Sequence, residues 1–231
     1  MTSDPHLSVI ALHGIALTDE EIAQTEGPVL EHAGAPNIRW LFPRAPRRKV
    51  TIMGGCSARA WFDTSTYDRS LMDEAGIEEA TEAICAAVRM ERDRDQNFLR
   101  RVVLMGFSQG GALALHAGLR LQAEVDGIIA LATALPFPDR LCAATSQSPP
   151  VFFGHGFLDP CVSYQLGRES QQLLAAKRYQ TEWHTYAYGH STGRRQLRDV
   201  SGWLSRHFLN AAPAPAKPMR VAAPFPLPRV A

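Results

Sequence analysis

The 231-residue chain is 45% hydrophobic, enough for one sizeable core and short for two, so a single folded domain is expected. Its 24 Lys and Arg nearly balance 23 Asp and Glu, which argues against a nucleic-acid binder or a polybasic membrane protein. No apolar run reaches the roughly 20 residues a bilayer requires, which argues against integral membrane association. The first residues, Met-Thr-Ser-Asp-Pro-His, lack the basic-then-apolar layout of a secretory signal. Four scattered cysteines form no CxxC pair, so reduced thiols in a cytoplasmic protein, and no zinc site, are expected.

Leu7 to Leu12 is a short apolar run closed by His13-Gly14, the pattern of a buried strand. Thr18, with Glu21 three residues on, resembles a capping box, so a helix to about His32 should follow. Ile38 to Phe42 reads as the next strand, stopped by Pro43. A loop rich in Gly, Pro and basic residues then runs to about Phe62. From Asp73 onward, Ile77, Ala80, Ile84 and Val88 recur at helical spacing between charged positions. Arg101 to Met105 is an apolar strand and Gly110 to Leu121 a helix. Gly127 to Ala132 and Val151 to Phe153 are further buried strands. Ser163 to Arg178 reads as a helix, Thr181 to Tyr186 as an alternating strand, and Arg195 to Phe208 as an amphipathic helix.

Strands separated by helices imply an α/β fold, a mostly parallel central sheet with helices on both faces. Beyond residue 210 the composition turns to Pro and Ala. Residues 1–210 are therefore expected to form the domain, and 211–231 a disordered tail.

Chemistry concentrates at Gly106-Phe107-Ser108-Gln109-Gly110. A Gly-x-Ser-x-Gly string between a strand and a helix holds its serine on a sharp turn above the sheet, so Ser108 reads as a nucleophile. A neutral hydroxyl needs a base, and the base an orienting carboxylate. On this architecture the order should be Ser, then Asp or Glu, then His. Asp159 follows the strand at 151–153 and His190 the strand at 181–186, so both fall in that order. His13 and His155 also abut glycines in loops of this kind, but both precede their required places. The oxyanion of acyl transfer needs two donors. The backbone N–H of Gln109 and that of Ile15, in the loop after the first strand, are the candidates. His13 reads as a support for that loop.

These segments resemble the phospholipase/carboxylesterase family, whose members include acyl-protein thioesterases and lysophospholipases. The likeness rests on Leu12-His13-Gly14, Trp61-Phe62-Asp63, Glu74-Ala75-Gly76-Ile77, Gly106-Phe107-Ser108-Gln109-Gly110-Gly111-Ala112, His155-Gly156-x-x-Asp159-Pro160 and Tyr188-Gly189-His190, in family order. It implies a minimal α/β-hydrolase with Ser108, Asp159 and His190 as triad and Ile15 and Gln109 as oxyanion donors. The chain departs from the family at Ala16, where a glycine is usual, and at Ala132-Thr133, where Ser-Gly is usual. Both changes bear on substrate rather than on reaction type.

Other features have two readings each. Trp61, Phe62 and Leu135 either wall an acyl pocket or pack a loop on the core. Arg44, Arg47, Arg48 and Lys49 either steer an anionic group or are solvated. Cys161 is either redox-sensitive or inert. The expected activity is hydrolysis of a small acyl ester or thioester through an acyl-enzyme, with no metal or organic cofactor. A lysophospholipid or an acylated protein is a possible substrate. The alternatives are a lysophospholipase or a catalytically silent binding protein. Oligomeric state is not legible.

Overall fold

A computed structural model describes residues 7–33, 37–66, 72–94 and 100–209. Six strands form one sheet: β1 (Leu7–Leu12), β2 (Ile38–Leu41), β5 (Arg101–Phe107), β6 (Gly127–Leu131), β7 (Val151–Gly156) and β8 (Thr181–Tyr186). They lie in the order β2-β1-β5-β6-β7-β8, and every pairing is parallel. Between them run the helices α1 (Asp19–Ala33), α2 (Glu74–Asp93), α3 (Gln109–Arg120), α4 (Tyr164–Ala176) and α5 (Arg194–Leu204).

Alternation along the strands divides the core in two. Val103 and Met105 of β5 face Val29 and Ala33 of α1 and Val200 and Trp203 of α5. Val102 and Leu104 face the other way, toward Ile77 and Ile84 of α2, Leu113 of α3 and Leu174 of α4. Helices on both faces explain why β5 and β6 are apolar almost throughout. Each fully buried large side chain here contributes about 1.5–3 kcal/mol.

The expected helix starts are realised by specific bonds. The Thr18 hydroxyl accepts from the Glu21 N–H at 3.2 Å, while the Glu21 carboxylate reaches back to the Leu17 N–H at 2.8 Å. Asp73 caps α2 by accepting from the Gly76 N–H, and Ser163 caps α4 through the Gln165 N–H.

The segment from Pro43 to Phe62 is not all loop. It holds an antiparallel hairpin of β3 (Arg47–Val50) and β4 (Cys56–Arg59), turned through a short 3₁₀ segment and two left-handed glycines. The hairpin buries only Val50, Ala58 and the adjoining Ala60, against Ile15, Ile52 and Met53. With so few apolar positions, its alternation is hidden among charges. Arg44 within the basic cluster pairs with Glu26, and Arg47 donates to the Leu17 carbonyl. His155 likewise stands inside β7, not in a loop, and is 1% exposed. The Pro-rich segment after Leu209 lies outside the described residues.

Candidate active site

The carboxyl ends of the parallel strands carry the polar residues. Ser108 follows β5 and is the first residue before α3, with φ 54° and ψ −120°. A non-glycine residue there is strained by about 1–3 kcal/mol. The turn exists because Gly106 and Gly110 flank it. A Cβ on Gly106 would lie 2.1 Å from the Gly110 carbonyl oxygen, and one on Gly110 would lie 2.2 Å from that of Leu12. These contacts set α3 directly against the end of β1.

Ser108, His190 and Asp159 lie in one hydrogen-bonded line. The His190 Nε2 is 2.8 Å from Ser108 Oγ, and Nδ1 is 2.8 Å from Asp159 Oδ2. The Asp159 side chain is wholly buried, whereas that of His190 is 17% exposed, so the far end of the line is dry and the near end reachable. The other Asp159 oxygen accepts the N–H groups of Cys161 and Val162 at 2.8 and 2.9 Å. Burial alone would raise this carboxyl. Hydrogen bonds from His155 and His190 and the Cys161 N–H outweigh burial and hold it well below the usual carboxylate range. An ionised Asp159 fixes the His190 proton on Nδ1, leaving the Nε2 lone pair for the serine hydroxyl. The Phe107 ring packs on His190 at 4.8 Å.

His155 completes this arrangement, although chain order gives it no place in it. Its Nε2 is 3.0 Å from the Val162 carbonyl and 3.4 Å from Asp159 Oδ2. Both neighbours are acceptors, so that nitrogen carries a proton. The His-Gly-x-x-Asp spacing was the available signal, since it puts the two side chains on one turn.

The Gln109 N–H is a first-turn donor that α3 cannot itself satisfy. Its side chain acts elsewhere, with Oε1 accepting from the Trp61 N–H and Nε2 donating to the Phe62 carbonyl, both at 2.8 Å. The Trp61 indole donates to the His13 carbonyl at 2.8 Å. Asp63 accepts from the Thr51 N–H at 2.7 Å. Trp61-Phe62-Asp63 is thus a latch joining the elbow, the loop after β1 and the hairpin. His13 accepts the Ala45 N–H on Nε2 at 3.0 Å and turns Nδ1 to the Gly14 carbonyl. Burial lowers its pKa, so it is a neutral strut.

Ile15, Gln109, Phe62 and Ser108 line one narrow cleft of about 40 Å³, together with Thr133, Ala134 and Val162. Trp61 does not line this cleft and is 5% exposed. Leu135 does not reach it and lines a separate groove of about 420 Å³ beside Phe137, Leu141 and Tyr179. Ala16 is held by an antiparallel bridge to Arg59, without a left-handed backbone. Ala132 does take one, with φ 48°, while its N–H donates to the Gly154 carbonyl.

A parallel sheet with helices on both faces and a serine elbow at its carboxyl edge places the chain among the α/β-hydrolases. It belongs to the phospholipase/carboxylesterase family, whose sequence model matches residues 2–208. It is 31% identical to the acyl-protein thioesterase 1 of Mycosarcoma maydis, over 87% of this chain and 91% of that one. The acyl-protein thioesterase 1 of Saccharomyces cerevisiae is 28% identical, over 86% and 92%. Among solved structures, Arabidopsis thaliana SOBER1 superposes with a TM-score of 0.75 at 25% identity, covering 87% of this chain and 98% of that one. Zea mays acyl-protein thioesterase 2 gives 0.75 at 24% identity, covering 89% and 95%. No helix of the described residues is long and apolar enough to cross a membrane.

Proposed function

We propose that the chain hydrolyses carboxylic esters or thioesters through an acyl-enzyme on Ser108. The unbroken hydrogen-bond line from Ser108 through His190 to Asp159 is the observation that carries this reading. His190 Nε2 takes the serine proton as Oγ attacks the acyl carbonyl, and Asp159 steadies the imidazolium that forms. The N–H groups of Gln109 and Ile15 receive the oxyanion. His190 then passes its proton to the leaving oxygen or sulfur. Water activated by the same nitrogen releases the acid and frees Ser108. This route asks nothing of a metal or organic cofactor.

The cleft of about 40 Å³ beside Ser108 is small, which suits a short acyl group. A longer chain would have to lie along the exposed rim. Family membership and the thioesterase relatives support thioesters and acylated proteins as candidate donors beside small esters.

Ser108→Ala should abolish hydrolysis of a short p-nitrophenyl ester with the melting temperature retained. Wild-type turnover by that variant would defeat the assignment. In the same assay, a panel of acyl chain lengths should peak at short chains, and a peak at long chains would overturn the size argument.

A further inference from the structure

Asp159 and His190 share their corner with a third donor. One ligand atom each from Asp159, Cys161 and His190 lies within 4.8 Å of the other two. Among the described residues, no other group of three such side chains comes together in this way. From this convergence we infer that the trio is an inhibitory site for a borderline or soft divalent cation, zinc foremost. The inference rests on the reading of His190 as base.

Thiolate, imidazole and carboxylate are a zinc donor set, with bonds of about 2.0–2.3 Å that put donors about 3.5 Å apart round a tetrahedron. Closing from 4.8 Å or less is within the reach of a side-chain rotation at Cys161, which is only partly buried. The rest of the site is already held. Asp159 Oδ1 is fixed by the Cys161 and Val162 N–H groups, which leaves Oδ2 toward His190. The partial exposure of His190 and Cys161 gives a cation a way in and leaves its fourth position to water. Hard ions such as magnesium favour all-oxygen sites and are poorly matched here.

Inhibition follows from where the imidazole proton must go. Neutral His190 carries its proton on Nδ1 and its lone pair on Nε2. A cation bound at Nδ1 forces the remaining proton onto Nε2, and a cation bound at Nε2 takes the lone pair directly. In either case Ser108 loses its base. Cys161 gives up its thiol proton to solvent on binding, so the cation is held more tightly as pH rises.

The test has two arms. In a Ser108→Ala chain with the exposed Cys56 and Cys142 replaced by serine, cadmium should raise a thiolate-to-metal charge-transfer band saturating at one equivalent. Adding Cys161→Ser should remove the band. In the active chain, zinc should inhibit hydrolysis reversibly, with EDTA restoring it and magnesium without effect. Cys161→Ser should raise the half-inhibiting zinc concentration at least about tenfold, each protein compared with its own zinc-free rate. A cadmium band that survives Cys161→Ser, or zinc inhibition that does not move, overturns the site. A turnover-competent Ser108→Ala chain would instead overturn the hydrolytic reading and leave the cadmium result standing.

Discussion

His13 and His190 both sit in loops at the carboxyl ends of strands, and their partners give them opposite duties. His13 accepts a backbone N–H on Nε2, so the nitrogen that could act as a base is occupied. His190 points the same nitrogen at a hydroxyl and anchors the other on Asp159. The Asp159 carboxyl, held below its ordinary value of about 3.9, carries a pH signature. A group whose folded pKa is depressed contributes stability above the unfolded value and loses it as pH falls toward the folded one. The melting temperature of the wild type should therefore fall steadily below about pH 4. Asp159→Asn has no such carboxyl, so the gap in melting temperature between the two proteins should narrow as acid is added. Parallel curves through that range would show that Asp159 does not carry the effect. The same variant should lose most turnover at neutral pH, because its amide no longer fixes the His190 tautomer.

At the scale of elements, the close seat of α3 against the end of β1 joins the elbow to the loop carrying Ile15. Gly110→Ala puts a methyl into the Leu12 and His13 carbonyl oxygens, 2.2 and 2.5 Å from its Cβ. Backbone must move to admit it, so the loss of stability should meet or exceed the about 1–3 kcal/mol of ordinary overpacking. Turnover should fall further than stability alone explains, since both proposed oxyanion donors, Ile15 and Gln109, shift. Denaturant melts with single-turnover kinetics on the folded fraction would separate the two, and a variant of unchanged stability and rate would refute the packing argument.

The sheet strands were legible because most are apolar runs bounded by turn residues and β8 alternates, and the helices because their apolar period is regular. Hairpin β3–β4 escaped because its buried face holds little more than Val50 and Ala58 amid Arg47, Arg48, Lys49 and Arg59. Ser108, Asp159 and His190 could be picked out because chain order and strand ends constrain them. The side-chain clasp of Gln109 on the Trp61 N–H and the Phe62 carbonyl depends on side-chain directions that spacing does not fix.

On the scale of the whole molecule, the turn that follows α5 is packed onto the sheet. Trp203 packs against Phe152 of β7 and against Phe208, and a Cβ on Gly127 would strike both Trp203 and Phe208. Arg101, at the start of β5, donates to the Phe208 carbonyl at 3.1 Å. These contacts tie the π-helical turn Ser205–Leu209 to the amino ends of β5 and β6, the edge of the sheet opposite the Ser108 cleft. We therefore propose that the domain ends at residue 210 and that 211–231 are dispensable for folding and hydrolysis. A chain ending at Asn210 should match the full chain in melting temperature and in kcat/KM toward a short ester. A chain ending at Ser205 loses Phe208 and the Arg101 bond. It should melt lower by at least about 2–4 °C, the shift per kcal/mol for a domain of this size, with kcat/KM on the folded fraction little changed because the cleft is remote. If the cut at Asn210 lowered stability as much as the cut at Ser205, the domain would extend into the Pro-rich segment. If it lowered kcat/KM at constant stability, that segment would belong to the substrate-binding face.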